Sequence, residues 1–223
     1  MATALIGHGG FVGGNLLAQA PFDVKAELPV PGEYDLVVCT ADLRGPIERL
    51  AQMRAKRFLL VSTIDVYANR SGVDEDGPID PRRGELETFC AGQFQGTIVR
   101  LPIVFGTGLR ENLVYDLLND HDVENVHPDG IFQYYAVARL WHDASIALER
   151  ALPIVNFVSE PVPTRELALR CFGRELTSYP SAPPAASDVR SKHAASWGGT
   201  RYLHSKERVL AELTEFVEQE RAL

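Results

Sequence analysis

The first seventeen residues constrain this chain more than any other segment. Ala2 to Ile6 is an apolar run that reads as a strand. It passes directly into Gly7-His8-Gly9-Gly10-Phe11-Val12-Gly13, and Gly14-Asn15-Leu16-Leu17 continues with helical character. A strand that turns on glycines into a helix leaves the helix's first N–H groups without intrahelical partners, beside the positive end of its dipole. That arrangement suits a pyrophosphate, so Gly7, Gly9, Gly10, Phe11, Val12 and Gly13 are expected to cradle a dinucleotide. A plain tight turn is the competing reading. The glycines recur three apart, at Gly7, Gly10 and Gly13, and the spacing of two and then three is met only loosely. The acidic residue expected about 20 positions further on, for the ribose hydroxyls, has two candidates. They are Asp23 and Glu27, and Lys25 between them would suit a 2′-phosphate instead, so NAD and NADP both stay open.

With 223 residues and 45% hydrophobic content, the chain is long enough for one sizeable α/β domain or a main domain with a small lobe. A formal net charge of −8 with no Lys/Arg cluster argues against a nucleic-acid groove, which needs cations to neutralise phosphates. No apolar run is long enough to span a bilayer, and the N-terminus has no basic flank or cleavage site of a secretory signal, so no membrane partner and a cytoplasmic location are expected. The three cysteines, Cys39, Cys90 and Cys171, are widely spaced and read as buried thiols; neither they nor the histidines have metal-site spacing, and no metal is expected. His121 and His127 read as solvated loop residues.

Strand-like and helix-like runs alternate along the chain. Asp35 to Cys39, Phe58 to Val61 and Thr97 to Leu101 are continuous apolar runs of the kind buried on both faces of a parallel sheet, with helical stretches at Ile47 to Met53 and Glu85 to Phe94. The expected fold is α/β: a Rossmann-like doubly wound parallel sheet with a small C-terminal substrate lobe. Residues 1–223 are expected to form a single domain, with 1–106 mainly the dinucleotide-binding core and 107–223 mainly the substrate lobe and a C-terminal helix. Gly7, Thr40 and Thr63 fall at carboxyl ends of strands, where ligands bind in such sheets. Ile154 to Val158 reads as a short strand, and Thr164 as the cap of the helix that follows it. Tyr179 to Gly199, rich in Pro, Ala and Ser, reads as a surface loop or partly ordered excursion, and Ser205 to Leu223 carries an apolar helical stripe.

Taken in order, these segments resemble the extended short-chain dehydrogenase/reductase family, which includes NAD-dependent epimerases, dehydratases and dTDP-4-dehydrorhamnose reductases. Gly7 to Gly13 is similar to its cofactor loop, and Phe58 to Tyr67 to its fourth strand and active-site Ser/Thr segment. Arg100-Leu101-Pro102-Ile103-Val104-Phe105-Gly106 is similar to the strand beside the nicotinamide, and Asn156 with Pro161 to Leu167 to a late strand and helix. The resemblance implies NAD or NADP as cofactor, with Thr40, Ala41, Ser62 and Pro102 joining the glycine loop in holding it, and pairing of two copies through helices.

The resemblance further implies that Thr63 hydrogen-bonds the substrate oxygen. A hydroxyl at a strand end can donate to a developing alkoxide, or it can simply bond nearby backbone. The family's catalytic Tyr, four residues before a Lys, has no counterpart. Arg83 stands where the Lys belongs, Ile79 stands where the Tyr belongs, and no tyrosine lies between Tyr67 and Tyr115. Tyr67, Tyr135, Asp65 and His142 are candidate replacements for that proton carrier, and each also has a structural reading. The site residues expected to carry chemistry are Thr63, Arg83 and Tyr67. Phe132 replaces an arginine that in the family meets a nucleotide pyrophosphate; with Tyr134, Tyr135 and Trp141 it suits a smaller or more apolar substrate, or forms lobe core. Three functions follow as expectations: an NAD(P)-dependent oxidoreductase or epimerase acting on a sugar or related hydroxyl or keto compound, a dinucleotide binder without catalysis that works through a partner, and a non-redox lyase, isomerase or cyclase.

Overall fold

The computed structural model describes residues 2–40 and 47–222, apart from the side chain of Glu48. The chain forms two compact units, one from Met1–Ala68, Gly77–Leu101 and Val137–Asn156, the other from Asn69–Asp76, Pro102–Ala136 and Phe157–Leu223. In these units 69–76 falls with the later segments and 137–156 with the earlier ones.

With elements numbered along the chain, the first unit is built on β1 (Thr3–Ile6), β2 (Val24–Ala26), β3 (Gly32–Cys39), β4 (Met53–Thr63), β6 (Gly96–Leu101) and β10 (Ile154–Asn156). These six form one sheet in the order β10-β6-β4-β3-β1-β2, and every pairing is parallel. This is the Rossmann-like α/β architecture expected, with helices α1 (Phe11–Leu17), α2 (Glu85–Gln93) and α4 (Leu140–Glu149) flanking the sheet. The apolar runs are buried as parallel strands require: Val37, Val38, Cys39, Leu59 and Leu60 are all at most 1% exposed. β4 starts at Met53, earlier than its apolar run suggests, and its polar half pairs with β3 through Lys56 and Asp35 (2.8 Å) and Arg54 and Glu33 (3.5 Å). The stretch before it, Ile47–Gln52, is a 3₁₀ helix. Gln19, just past α1, ties this region to α4 by donating to the Val137 carbonyl at 3.0 Å and accepting the Trp141 N–H at 2.9 Å.

The second unit holds three two-stranded sheets: β5 (Ser71–Val73) with β12 (Asp188–Val189), β7 (Ile103–Phe105) with β9 (Tyr134–Ala136), and β8 (Ile131–Phe132) with β11 (Val162–Pro163). Helices α3 (Leu113–Asn119), α5 (Thr164–Phe172) and α6 (Lys206–Arg221) complete it. The stripe Val209, Leu210, Leu213, Phe216 and Val217 on α6 is buried in one core with Phe105, Tyr134 and Leu167. Ser205 caps α6 by accepting the Arg208 N–H at 3.3 Å. Thr164, by contrast, does not cap α5: Pro163 occupies the capping position, and the buried Thr164 hydroxyl has no hydrogen-bond partner among the described residues. The stretch Tyr179 to Gly199 contains β12 and a 3₁₀ turn at Ala194–Trp197.

Candidate functional site

In the sheet of the first unit, β2 lies on one side of β1 and β3 on the other, so the strand order reverses around β1. The crevice beyond the carboxyl ends of β1 and β3 is the place where such sheets bind ligands. The sequence builds that place from glycines with separate jobs. Gly7 has φ +81°, a left-handed conformation that glycine adopts without strain. Gly13 is where helix and turn touch: a Cβ there would lie 2.1 Å from the Gly7 carbonyl oxygen. Gly10 precedes α1 and offers no side chain to cap it. The first helical bond runs from the Gly14 N–H to the Gly10 carbonyl at 2.8 Å, so the amides of Phe11, Val12 and Gly13 precede any intrahelical pairing. Thr40 locks the neighbouring strand end, its hydroxyl donating to the carbonyls of Ile6 and Gly7, each at 3.1 Å.

The choice that the sequence left open between Asp23 and Glu27 is made by their places. Asp23 accepts the Thr3 N–H at 2.8 Å and the Thr3 hydroxyl at 3.0 Å at the opposite end of β1, and these bonds hold its carboxyl below the usual range. Glu27 follows β2 at the carboxyl end of the sheet, accepts the Gly9 N–H at 2.9 Å and lies 3.0 Å from Nδ1 of His8. A carboxylate held at the rim of the glycine turn is an acceptor for a ribose diol and a poor neighbour for a 2′-phosphate. Lys25 projects from β2 as an exposed residue. The geometry fits a nicotinamide dinucleotide, because the turn is stripped of side chains where a diphosphate would lie and supplied with an acid where a ribose would lie.

The second part of the site follows β4. Thr63 is exposed at the strand end, and its Oγ accepts the Asp65 N–H at 3.1 Å, starting a 3₁₀ turn at Ile64–Val66. Its hydroxyl proton remains available to a ligand oxygen. Arg83 is also exposed; its Nη1 donates to the Asp65 carbonyl at 3.0 Å, and its backbone N–H donates to the Asp80 carboxylate at 3.3 Å. Thr63 and Arg83 are thus tied to the same residue. Ser62 is half-buried in β4, in register with Arg100.

Tyr67 is placed differently from the expectation of a proton carrier. It is 1% exposed, and its hydroxyl is enclosed by Nη1 of Arg100 at 2.6 Å and the side chain of Asn156, which donates to it at 2.8 Å. Arg100 in turn makes bonds of 2.6, 3.0 and 3.1 Å to the Glu87 carboxylate, with both side chains buried. Burial by itself would lower the pKa of Arg100, and the hydrogen bonds and charge of Glu87 raise it overall. This cluster fastens the turn after β4 to α2, β6 and β10, with the Tyr67 hydroxyl inside it. Tyr34, the other tyrosine of this unit, is also buried, with its hydroxyl donating to the Val30 carbonyl at 3.1 Å. Ile79 pairs with Tyr67 as an isolated antiparallel bridge. Sequence reasoning did not anticipate the cluster of Glu87, Arg100 and Asn156; a charged residue inside the apolar run of β6 was the available signal.

Of the remaining candidates, Ala41 lies outside the described residues. Pro102 and Tyr135 are buried and belong to the second unit, whereas His142 is exposed on α4. Among the described residues no group of three or more His, Cys, Asp or Glu is placed to hold a metal ion, and no helix is long and apolar enough to cross a membrane.

No protein-family profile and no curated protein sequence matches the chain. Solved structures do match in fold. MoeE5, in complex with UDP-glucuronic acid and NAD, is 15% identical, with 100% of each chain covered and a TM-score of 0.74. A UDP-galactose 4-epimerase is 15% identical over 99% of both chains, with a TM-score of 0.72. A dTDP-4-dehydrorhamnose reductase from Clostridium acetobutylicum is 14% identical over 99% of this chain and 100% of its own, with a TM-score of 0.69. The chain therefore has the fold of the epimerases and reductases that the sequence resembles. Identities this low establish the fold and leave activity to be argued from the site.

Proposed function

We propose that this protein binds a nicotinamide dinucleotide, NAD in preference to NADP, and acts on a sugar or related small hydroxyl or keto compound. The observation that carries the reading is the rim of the crevice: a turn in which Gly13 touches Gly7, and the Glu27 carboxylate fixed on the Gly9 amide. Phe11, Val12 and Gly13 amides would meet the diphosphate, and Glu27 the adenosine ribose. A bound nicotinamide supplies the means to accept or return a hydride. Thr63 would orient the substrate oxygen through its hydroxyl, and Arg83 would supply the cation. The solved structures of this fold support the reading, since MoeE5 is bound to NAD and a sugar nucleotide. A homodimer in the cytoplasm is the setting that the resemblance supports.

Calorimetric titration with NAD⁺ and NADP⁺ tests this directly. Saturable binding of NAD⁺ is the expected result, and absence of heat with either nucleotide at millimolar concentration rejects the reading. If a substrate is found, Thr63→Ala should lower turnover about 10²-fold, as loss of one oxyanion donor does.

A second reading, a dinucleotide binder that does no redox chemistry of its own, gains from the burial of Tyr34 and Tyr67. Under it NAD⁺ raises the melting temperature by mass action while no sugar changes the nicotinamide absorbance. A non-redox lyase or isomerase would convert substrate without any nicotinamide signal.

A further inference from the structure

We infer that Arg83 anchors an anionic group of the substrate, a carboxylate or a phosphate, a few bonds from the oxygen that Thr63 holds; this rests on the placement of the site proposed above. The guanidinium is fixed by the Asp65 carbonyl at 3.0 Å, and the backbone beneath it by Asp80, which accepts the N–H groups of Arg82 at 2.8 Å and Arg83 at 3.3 Å. Among the described residues no carboxylate forms an ion pair with it, whereas Arg54 and Arg100 in the same unit pair with Glu33 and Glu87. An exposed, positioned and unneutralised fork of donors recognises planar anions.

Arg83 is joined to Thr63 through Asp65, whereas the turn after β1 lies two strands away. β3 lies between β1 and β4, so the turn after β1 and the turn after β4 are about 10 Å apart at the usual strand spacing. The Asp65 N–H meets Thr63 Oγ at 3.1 Å while the Asp65 carbonyl meets Arg83. A residue's own N and O lie about 3 Å apart, which puts the hydroxyl and the guanidinium within roughly 9 Å of each other. That span suits one small molecule bearing a reacting oxygen and a charged end, such as a sugar acid or a sugar phosphate.

The test uses D-glucuronate, glucose 6-phosphate and glucose as probes, by ligand-observed NMR with and without NAD⁺. At least one of the two anions is expected to bind about 10-fold more tightly than glucose, the preferred one showing whether carboxylate or phosphate is read. Arg83→Gln should abolish that preference while leaving NAD⁺ affinity and melting temperature unchanged, and Arg83→Lys should keep part of it. Equal binding of all three probes, or none, overturns the inference, and the separate NAD⁺ titration reports on the cofactor reading alone. A loss of NAD⁺ affinity of about 10-fold in Arg83→Gln also overturns it, by assigning the guanidinium to the cofactor.

Discussion

The Glu27 carboxylate accepts the amide hydrogen of Gly9 across 2.9 Å, joining the end of the second strand to the turn after the first. A negative charge fixed there repels a 2′-phosphate by Coulomb interaction and remains a good acceptor for a ribose diol. NAD⁺ is therefore expected to bind at least about 10-fold more tightly than NADP⁺, and Glu27→Gln to narrow the gap. Equal dissociation constants for the two nucleotides in the unaltered protein would contradict this.

Gly13 and Gly10 should differ sharply on substitution by alanine. The added Cβ at Gly13 lies 2.1 Å from a backbone oxygen, whereas at Gly10 the nearest atom is 3.5 Å away, an ordinary contact. Gly13→Ala must push the helix off the turn, costing about 1–3 kcal/mol or more and weakening nucleotide binding, while Gly10→Ala should fold normally. Urea unfolding and a nucleotide titration of each variant provide the comparison.

The buried pair of Arg100 and Glu87 should respond asymmetrically to mutation. Glu87→Ala leaves a guanidinium without its counter-charge inside the protein and is expected to cost about 3–5 kcal/mol, whereas the double change Glu87→Leu with Arg100→Met should recover most of that loss. If the single and double variants prove equally unstable in denaturant, the cluster's energetics have been misread.

Cys90 carries a dependence on alkaline pH. Burial, with smaller contributions from Cys39 and Glu87, pushes its thiol from an ordinary 9.0 up to about 12. A raised folded pKa means that the unfolded chain loses its proton first, so the stability linked to this thiol is complete below pH 9 and declines as pH rises towards 12. At pH 8 the native protein should also leave all three buried cysteines unlabelled by a thiol reagent, and labelling should track global unfolding.

Much of the first unit was legible in the residues because its signals are local. The glycine turn announces itself by spacing, and Val37 to Cys39 and Phe58 to Val61 announce parallel strands by unbroken apolarity. What was not legible depends on partners distant in sequence. The polar start of β4 becomes a strand only beside Glu33 and Asp35, which pair with Arg54 and Lys56. Asp23 and Glu27 are equally plausible along the chain, and only their positions at opposite ends of the sheet separate them. Tyr67 looks reactive by its neighbours in sequence, yet Arg100 and Asn156, far along the chain, enclose it.

β10 spans Ile154–Asn156 and pairs with β6, which ends at Leu101, while the second unit claims most of the chain between them. During synthesis, then, β6 must wait as an open edge for more than fifty residues before its neighbour emerges. A ribosome-bound nascent chain halted before that point would present unpaired amides and carbonyls to any passing strand, so early release or pausing in this interval is the moment of greatest exposure to chaperones and to aggregation.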